Sequence, residues 1–218
     1  VLGNALRRRG AERTVVTIVT QVRVAADDPA FDNPTKPIGP FFTKEIADKR
    51  IAENGWSMVE DSGRGWRRVV PSPLPEAIVE LEAVRRCVGN GMIPIAVGGG
   101  GVPVYEKDGQ LYGIEAVIDK DRASALLANA LGADTLIVTT GVDNVMVGFN
   151  TPEQRALTDA GRDELRAHLE AGEFPPGSMG PKIEAALSFL ENGGNQVIIT
   201  SPEKLGEAVA GNAGTRIS

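Results

Sequence analysis

Apolar, largely β-branched runs at 14–24, 93–97, 135–140 and 196–200 alternate along the chain with stretches of helical periodicity. Each run is continuously apolar rather than alternating, which is the pattern of parallel strands covered on both faces. Helical signals separate or follow them. "PEAIVELEAVRRCVGNG" has Pro75 near its start and Gly89 and Gly91 at its end, and "DRASALLANALGAD" stops at Gly132. "GPKIEAALSFLENGG" places Pro181 at its first helical position and ends at Gly193 and Gly194, and "PEKLGEAVAGNAG" closes the chain. Proline opening a helix and glycine just past its end is the expected asymmetry, because the first turn has no use for the missing N–H and the last needs a left-handed residue. Strands alternating with helices predict an α/β layered fold with a mainly parallel sheet.

The segment 27–75 breaks this rhythm. It holds "DDPAFDNPTKPIGPFF", a short helical pattern at 44–54, and both tryptophans in "GWSMVEDSGRGWRRVVPSPLP". "WSMVED" and "WRRVVPSP" can pair as a hairpin across 62–65. The stretch is too long and too aromatic for a linker, so it is expected to be a small protruding subdomain inserted into one domain spanning 1–218. At the other extreme, "VLGNALRRRGAERTVV" reads as the last turns of a helix capped by Gly10 and running into a strand. A domain seldom opens in mid-helix, and a preceding segment is expected.

Composition narrows the function classes. A chain of 218 residues suffices for one sizeable core. A net charge of −6 argues against a generic nucleic-acid binder, and the local clusters Arg7–Arg9 and Arg64, Arg67, Arg68 read as solvated faces or local ion pairs. No apolar stretch reaches membrane-spanning length. One cysteine, Cys87, forbids an intrachain disulfide and is expected in the core, which fits a reducing, cytoplasmic setting. One histidine, His168, is expected on an exposed helix face and leaves no zinc spacing motif.

The residues able to carry chemistry cluster after the strands. "IPIAVGGGGVPVYE" presents Gly98, Gly99, Gly100 and Gly101, which is either a tight loop or a nest of N–H groups around an anion. It is no dinucleotide fingerprint, since Pro103 follows where the third glycine would stand. In "VIDKDRA", Lys120 sits at the positive end of a helix, where a cation is disfavoured by about 0.3–1 kcal/mol. It is either an exposed lysine compensated by Asp119 and Asp121, or a lysine awaiting a phosphate. "PPGSMGPKIEAAL" repeats the misplacement with Lys182. Two cations where acids are preferred point to a shared cause, a bound anion satisfying the helix N–H groups and the ammonium groups together. Lys36 in "NPTKPIGPFF" is fenced by Pro34 and Pro37, either as an incidental surface lysine or as one held stiffly in place. "TTGVDNV" follows the third strand, on the edge where open α/β sheets bind ligands. Asp143 and Asn144 there are polar contacts or turn formers.

The segments "TVVTIVTQVRVAADDPAFDNPTKPIGPFF", "GWSMVEDSGRGWRRVVPSP", "IAVGGGGVPV", "GIEAVIDKDRASALLA", "PPGSMGPKIEAALSFLENGG" and the closing "GTRI" resemble the carbamate kinases of the amino acid kinase superfamily, in family order and over nearly the whole chain. "NPTKPIGPF", "AVIDKD" and "PGSMGPK" together are specific, whereas "DKD" or "GGGG" alone are not.

The resemblance implies a three-layer αβα sandwich with the 27–75 subdomain protruding from it. The implied reaction is reversible phosphoryl transfer between carbamoyl phosphate with ADP and carbamate with ATP, in the presence of Mg²⁺. Members are typically cytoplasmic homodimers in arginine, purine or cyanate breakdown. By position, Lys120 and Lys182 correspond to phosphate-contacting lysines, Lys36 to the lysine of the protruding subdomain, and Asp121 to the aspartate that orients the lysines. Gly98–Gly101 correspond to the carbamoyl end. Thr140, Val142, Asp143 and Met179 correspond to the nucleotide side, and Asp119 is a candidate metal ligand. Gly141 stands where the family often has an aspartate. The family's opening strand and "GGN" loop have no counterpart, since "LGNAL" runs directly into "RRRGAERTVV"; the chain is read as lacking that segment. The alternatives are a non-catalytic nucleotide- or anion-binding fragment, or another acyl-phosphate-forming kinase of the superfamily, such as one acting on acetylglutamate.

Overall fold

The computed structural model describes residues 1–61, 63–149, 151–175 and 177–218. The chain forms two compact units, Val1–Asp119 and Lys120–Ser218, and helices alternate with strands in both.

In the first unit, helix α1 (Leu2–Arg8) ends as expected, with Gly10 left-handed at φ 71° and the Ala11 N–H returning to Leu6 O at 3.0 Å. The run 14–24, expected as one strand, is two: β1 (Val15–Thr17) and β2 (Gln21–Arg23). The break lies at Thr20. Its hydroxyl donates to Ile18 O at 3.1 Å and accepts the Val97 N–H at 3.0 Å, while its carbonyl takes the Val102 N–H at 2.8 Å. These bonds turn the chain out of the first ladder and into another. Strand β3 (Lys36–Phe42) pairs antiparallel with β5 (Trp66–Val70), and β5 pairs antiparallel with β4 (Met58–Glu60). The 58–60 and 66–70 pairing is the hairpin anticipated across 62–65; Ser62 lies outside the described residues.

Helix α2 (Lys44–Asn54) joins β3 to β4, opened by the Thr43 hydroxyl accepting the Ile46 N–H and closed by Gly55 at φ 64°. Cations stack on the aromatics here: Lys44 Nζ lies 4.8 Å from the Trp66 ring centre, and the Arg68 guanidinium 4.8 Å from that of Trp56. Such contacts stabilise by about 0.5–1 kcal/mol each at exposed sites.

The helix anticipated from Pro75 begins later. Residues Ala77–Ile78 form strand β6, antiparallel to β2, because the Glu76 and Val79 N–H groups are taken by Arg23 O and Gln21 O. Helix α3 (Leu81–Gly89) then leads to β7 (Ile93–Ile95), which runs parallel to β1. Cys87 on α3 is only partly buried, not in the core. Strands β8 (Val102–Lys107), parallel to β2, and β9 (Gln110–Gly113), antiparallel to β8, complete a sheet ordered β6-β2-β8-β9.

The second unit opens with α4 (Lys120–Leu131) and β10 (Thr135–Thr139). The hairpin β11 (Val145–Val147) and β12 (Arg155–Leu157) follows, then β13 (Asp159–Ala160) and α5 (Arg162–Glu170). Helix α6 (Gly180–Glu191), strand β14 (Gln196–Thr200), helix α7 (Leu205–Val209) and strand β15 (Thr215–Ile217) end the chain. Proline enters α6 one residue after its start, at Pro181. The sheet order is β10-β14-β15-β13, with β10 parallel to β14 and β13 parallel to β15.

Only β14 among the four anticipated runs is buried on both faces; β10, at the sheet edge, alternates, with Ile137 exposed between Leu136 and Val138. Phe189 and Ile183 of α6 pack with Val197, Ile199, Leu157 and Leu165 in one core, each large side chain contributing about 1.5–3 kcal/mol on burial. The closing helix is shorter than the pattern suggested. Gly211 and Gly214 take φ of 92° and 79°, which turns the chain into β15.

Candidate active site

Helices α4 and α6 pack side by side, and their first turns carry the misplaced lysines. Lys182 donates to Asp121 Oδ2 at 2.8 Å, and Lys120 reaches the same oxygen at 3.2 Å. Asp121 and Lys182 are 7% and 8% exposed, while the Lys120 side chain is 59% exposed. One buried carboxylate therefore holds two ammonium groups, one sequestered and one at the surface. Both ammonium groups stand at the N-terminal ends of two helices, whose leading N–H groups add partial positive charge. This arrangement attracts an anion, and the aspartate keeps the two cations from repelling each other.

The first unit has a lysine–aspartate pair of its own. Lys36, at the start of β3, donates to Asp119 Oδ2 at 2.5 Å, and Asp119 is 4% exposed. Two backbone features hold this pair. Lys36 sits opposite Val70 in the β3–β5 ladder, and the next residue, Pro71, accepts the Val117 N–H at 3.0 Å. The glycine loop lies under the same stretch: a Cβ on Gly100 would fall 2.1 Å from Ile118 O, and one on Gly101 would fall 2.4 Å from Val22 Cγ2. Both have positive φ, at 102° and 90°. Gly100 and Gly101 are thus demanded by packing, whereas a Cβ on Gly98 or Gly99 would meet no atom within 4 Å. The tetraglycine divides into a packing half and an open half.

The other anticipated residues lie in the second unit. Thr140 follows β10 and donates its N–H to Thr200 O at 2.8 Å; Val142 is 41% exposed. Asp143 lines a polar cleft of about 450 Å³ with Asn144, Asp159, Lys204, Glu207 and Arg216, at the carboxyl ends of β10 and β14. Met179 does not line that cleft; it precedes α6 and packs on the core. Lys204, Glu207 and Arg216 went unread in the sequence, although Arg216 lies in the closing "GTRI". The Lys204 ammonium is held above its ordinary range chiefly by its hydrogen bond to Glu207. The Arg216 guanidinium donates to Ala208 O at 2.8 Å.

Among the described residues no group of three or more His, Cys, Asp or Glu side chains could hold a metal ion. Asp119, the candidate ligand, is engaged by an ammonium. Among the described residues, then, the side chains form no dedicated all-protein metal cage. Mg²⁺ bound through nucleotide phosphates needs no such cage and belongs with the substrate. Among the described residues no helix is long and apolar enough to cross a membrane.

Residues 41–201 match the model of the amino acid kinase family. Carbamate kinase 3 of Staphylococcus aureus (strain USA300) is 52% identical over 217 residues, covering 99% of this chain and 70% of that protein. The carbamate kinase of Pyrococcus horikoshii is 49% identical over 217 residues, covering 100% of this chain and 69% of that one. Among solved structures, carbamate kinase from Giardia lamblia bound to AMP-PNP superposes with a TM-score of 0.86 at 40% identity, over 99% of this chain and 69% of that chain. APE1968 from Aeropyrum pernix K1 superposes with a TM-score of 0.88 at 43% identity, over 99% of this chain and 70% of that chain. This α/β chain, with its lysine pairs strung along "DKD", belongs to the amino acid kinase family and, within it, to the carbamate kinases.

Proposed function

We propose that the chain catalyses reversible phosphoryl transfer from carbamoyl phosphate to ADP, giving carbamate and ATP, with Mg²⁺ accompanying the nucleotide. In this step the bond between phosphorus and the carbamoyl oxygen breaks. A new bond forms from phosphorus to a terminal β-phosphate oxygen of ADP, and carbamate leaves with the electron pair. The protein has no covalent chemistry to perform; it must place the two oxygens in line and neutralise charge on the transferring group.

The observation that carries this reading is the shared oxygen: Lys120 and Lys182 both on Asp121 Oδ2, at the N-terminal ends of α4 and α6. Lys182, buried and fixed, acts on the transferring phosphoryl group, and Lys120, exposed, reaches for the polyphosphate. Lys36, held by Asp119, is the third lysine of the mechanism. Gly98 and Gly99, the open half of the tetraglycine, offer backbone N–H groups to the carbamoyl end, with Gly100 and Gly101 shaping the loop. Thr140, Val142, Asp143 and Met179 are assigned to the nucleotide side. A homodimer in a reducing, cytoplasmic compartment, and a place in arginine metabolism, belong to the same proposal and rest on family membership.

ATP formation from carbamoyl phosphate and ADP tests the reaction, run beside calorimetry with ADP and a panel that includes acetylglutamate. Turnover confined to carbamoyl phosphate supports the proposal. Binding of ADP without turnover would identify a nucleotide-binding protein instead, and turnover of acetylglutamate another acyl kinase.

A further inference from the structure

The chain's one histidine is not on an exposed helix face as its sequence pattern suggested. His168 is partly buried at the end of α5, its ring edge-on to Phe174 with centres 6.4 Å apart. Its Nδ1 lies 2.7 Å from Glu173 Oε1, and its Nε2 lies 3.9 Å from Glu164 Oε1. The other oxygen of Glu173, Oε2, accepts the Gly148 N–H at 2.9 Å. One carboxylate thus joins a helix-borne imidazole to the backbone of the residue that follows β11.

Three consecutive residues then do different jobs. Glu173 holds Gly148, where the chain leaves β11 in a left-handed conformation at φ 61°. Phe174 is 4% exposed and anchors in the core. Pro175 O accepts the N–H groups of Ser178 and Gly180 at 3.2 and 3.0 Å, which sets the entry to α6. Gly148 ends the strand that follows Thr140, Val142 and Asp143, and the α6 entry carries Met179 and then Lys182. The two stretches assigned to nucleotide are therefore linked by a charged group, the Glu173 carboxylate on the Gly148 amide.

We propose that Glu173, oriented by His168, is a positioning residue for the nucleotide: its clamp on Gly148 fixes the 145–149 strand and turn relative to the entry of α6. It touches no reacting atom. The inference rests on the nucleotide assignment made above. A hydrogen bond that a charged carboxylate accepts is stronger than one between neutral groups.

The test measures the dissociation constant and KM for ADP, KM for carbamoyl phosphate, kcat and Tm in Glu173→Ala, Glu173→Gln and His168→Ala. Glu173→Ala is expected to weaken ADP by about tenfold, with kcat and KM for carbamoyl phosphate changed less than about twofold. Glu173→Gln keeps an oxygen for Gly148 and recovers most of the loss. His168→Ala falls between the two, and its single missing imidazole signal makes the ring assignment in wild type unambiguous. An ADP affinity in Glu173→Ala within twofold of wild type overturns the clamp while leaving the kinase reading intact. So does an equal loss in every kinetic constant together with Tm, and so does a Glu173→Gln variant no better than Ala. Should Glu173→Ala not fold, the Glu173→Gln and His168→Ala pair decides by the same split. Failure of the wild-type chain to bind ADP at all overturns the nucleotide assignment first, and this inference with it.

Discussion

Lys182 Nζ donates to Asp121 Oδ2 at 2.8 Å, with 10% and 9% of the two side chains exposed, and Lys120 reaches the same oxygen from the protein surface at 3.2 Å. The two lysines are not equivalent. Removing one partner of a buried ion pair costs about 3–5 kcal/mol because a charge is left uncompensated. Asp121→Ala takes the carboxylate from the buried Lys182 ammonium, whereas Lys182→Ala leaves Asp121 with Lys120. Thermal denaturation should therefore rank Asp121→Ala well below Lys182→Ala. In turnover Lys182→Ala should still fall by about 10²–10³, as when one preorganised electrostatic donor is lost. Near-normal ATP formation in Lys182→Ala would remove this lysine from the mechanism.

Lys36 and Asp119 form a separate pair at 2.5 Å, with Asp119 buried. Lys36→Ala leaves a buried carboxylate without this cation, and Asp119→Asn relieves that charge. If the pair only stabilises the fold, the double variant Lys36→Ala/Asp119→Asn should recover both stability and turnover. If Lys36 acts in the reaction, the double variant recovers Tm and stays low in kcat. The second outcome is expected.

How far the site was legible in sequence follows from the range of the interactions that build it. A lysine at a helix N-terminus is a local anomaly, readable at Lys120 and again at Lys182, because the macrodipole penalty acts within one turn. That one oxygen of Asp121 serves both was not readable, since Lys182 is 61 residues away. Nor was the pairing of Lys36 with Asp119, 83 residues apart, or the break at Thr20, made by a hydrogen bond to Val97. Strand β6 escaped because "PEAI" carries helix-start chemistry, and only the ladder to β2 overrides it. Lys204 and Glu207 escaped because an i, i+3 pair reads as ordinary helix-surface charge; their cleft exists only once β14 and β15 are paired.

Acid should weaken the Glu173 clamp in a defined direction. The Gly148 N–H, first, and His168, second, hold the Glu173 carboxyl below its ordinary range. A folded-state value below the unfolded one means stability that is present above the unfolded value and is lost as pH falls through the folded one. Tm of wild type should therefore exceed that of Glu173→Gln at neutral pH. The gap should hold down to the ordinary carboxylate range and close below it. A gap that stays constant into strong acid would show that the Glu173 charge contributes nothing to the fold.

The tetraglycine makes the sharpest contrast between packing and ligand contact, since its halves differ in what an added methyl would meet. On Gly100 the new carbon would sit 2.1 Å from Ile118 O, at a φ of 102° that L-residues rarely adopt. Neither a peptide oxygen nor the backbone leading to Asp119 can yield cheaply. Gly100→Ala should lower Tm sharply and reduce turnover by displacing Asp119 and its lysine. On Gly98 nothing lies within 4 Å, and its φ is outside the strained region. Gly98→Ala should fold with Tm unchanged or slightly raised, because the methyl projects into open space and alanine reduces the conformational entropy of the unfolded chain. If that space belongs to the carbamoyl end of the substrate, KM for carbamoyl phosphate rises while KM for ADP does not. Equal behaviour of Gly98→Ala and wild type toward carbamoyl phosphate would move the substrate away from this loop.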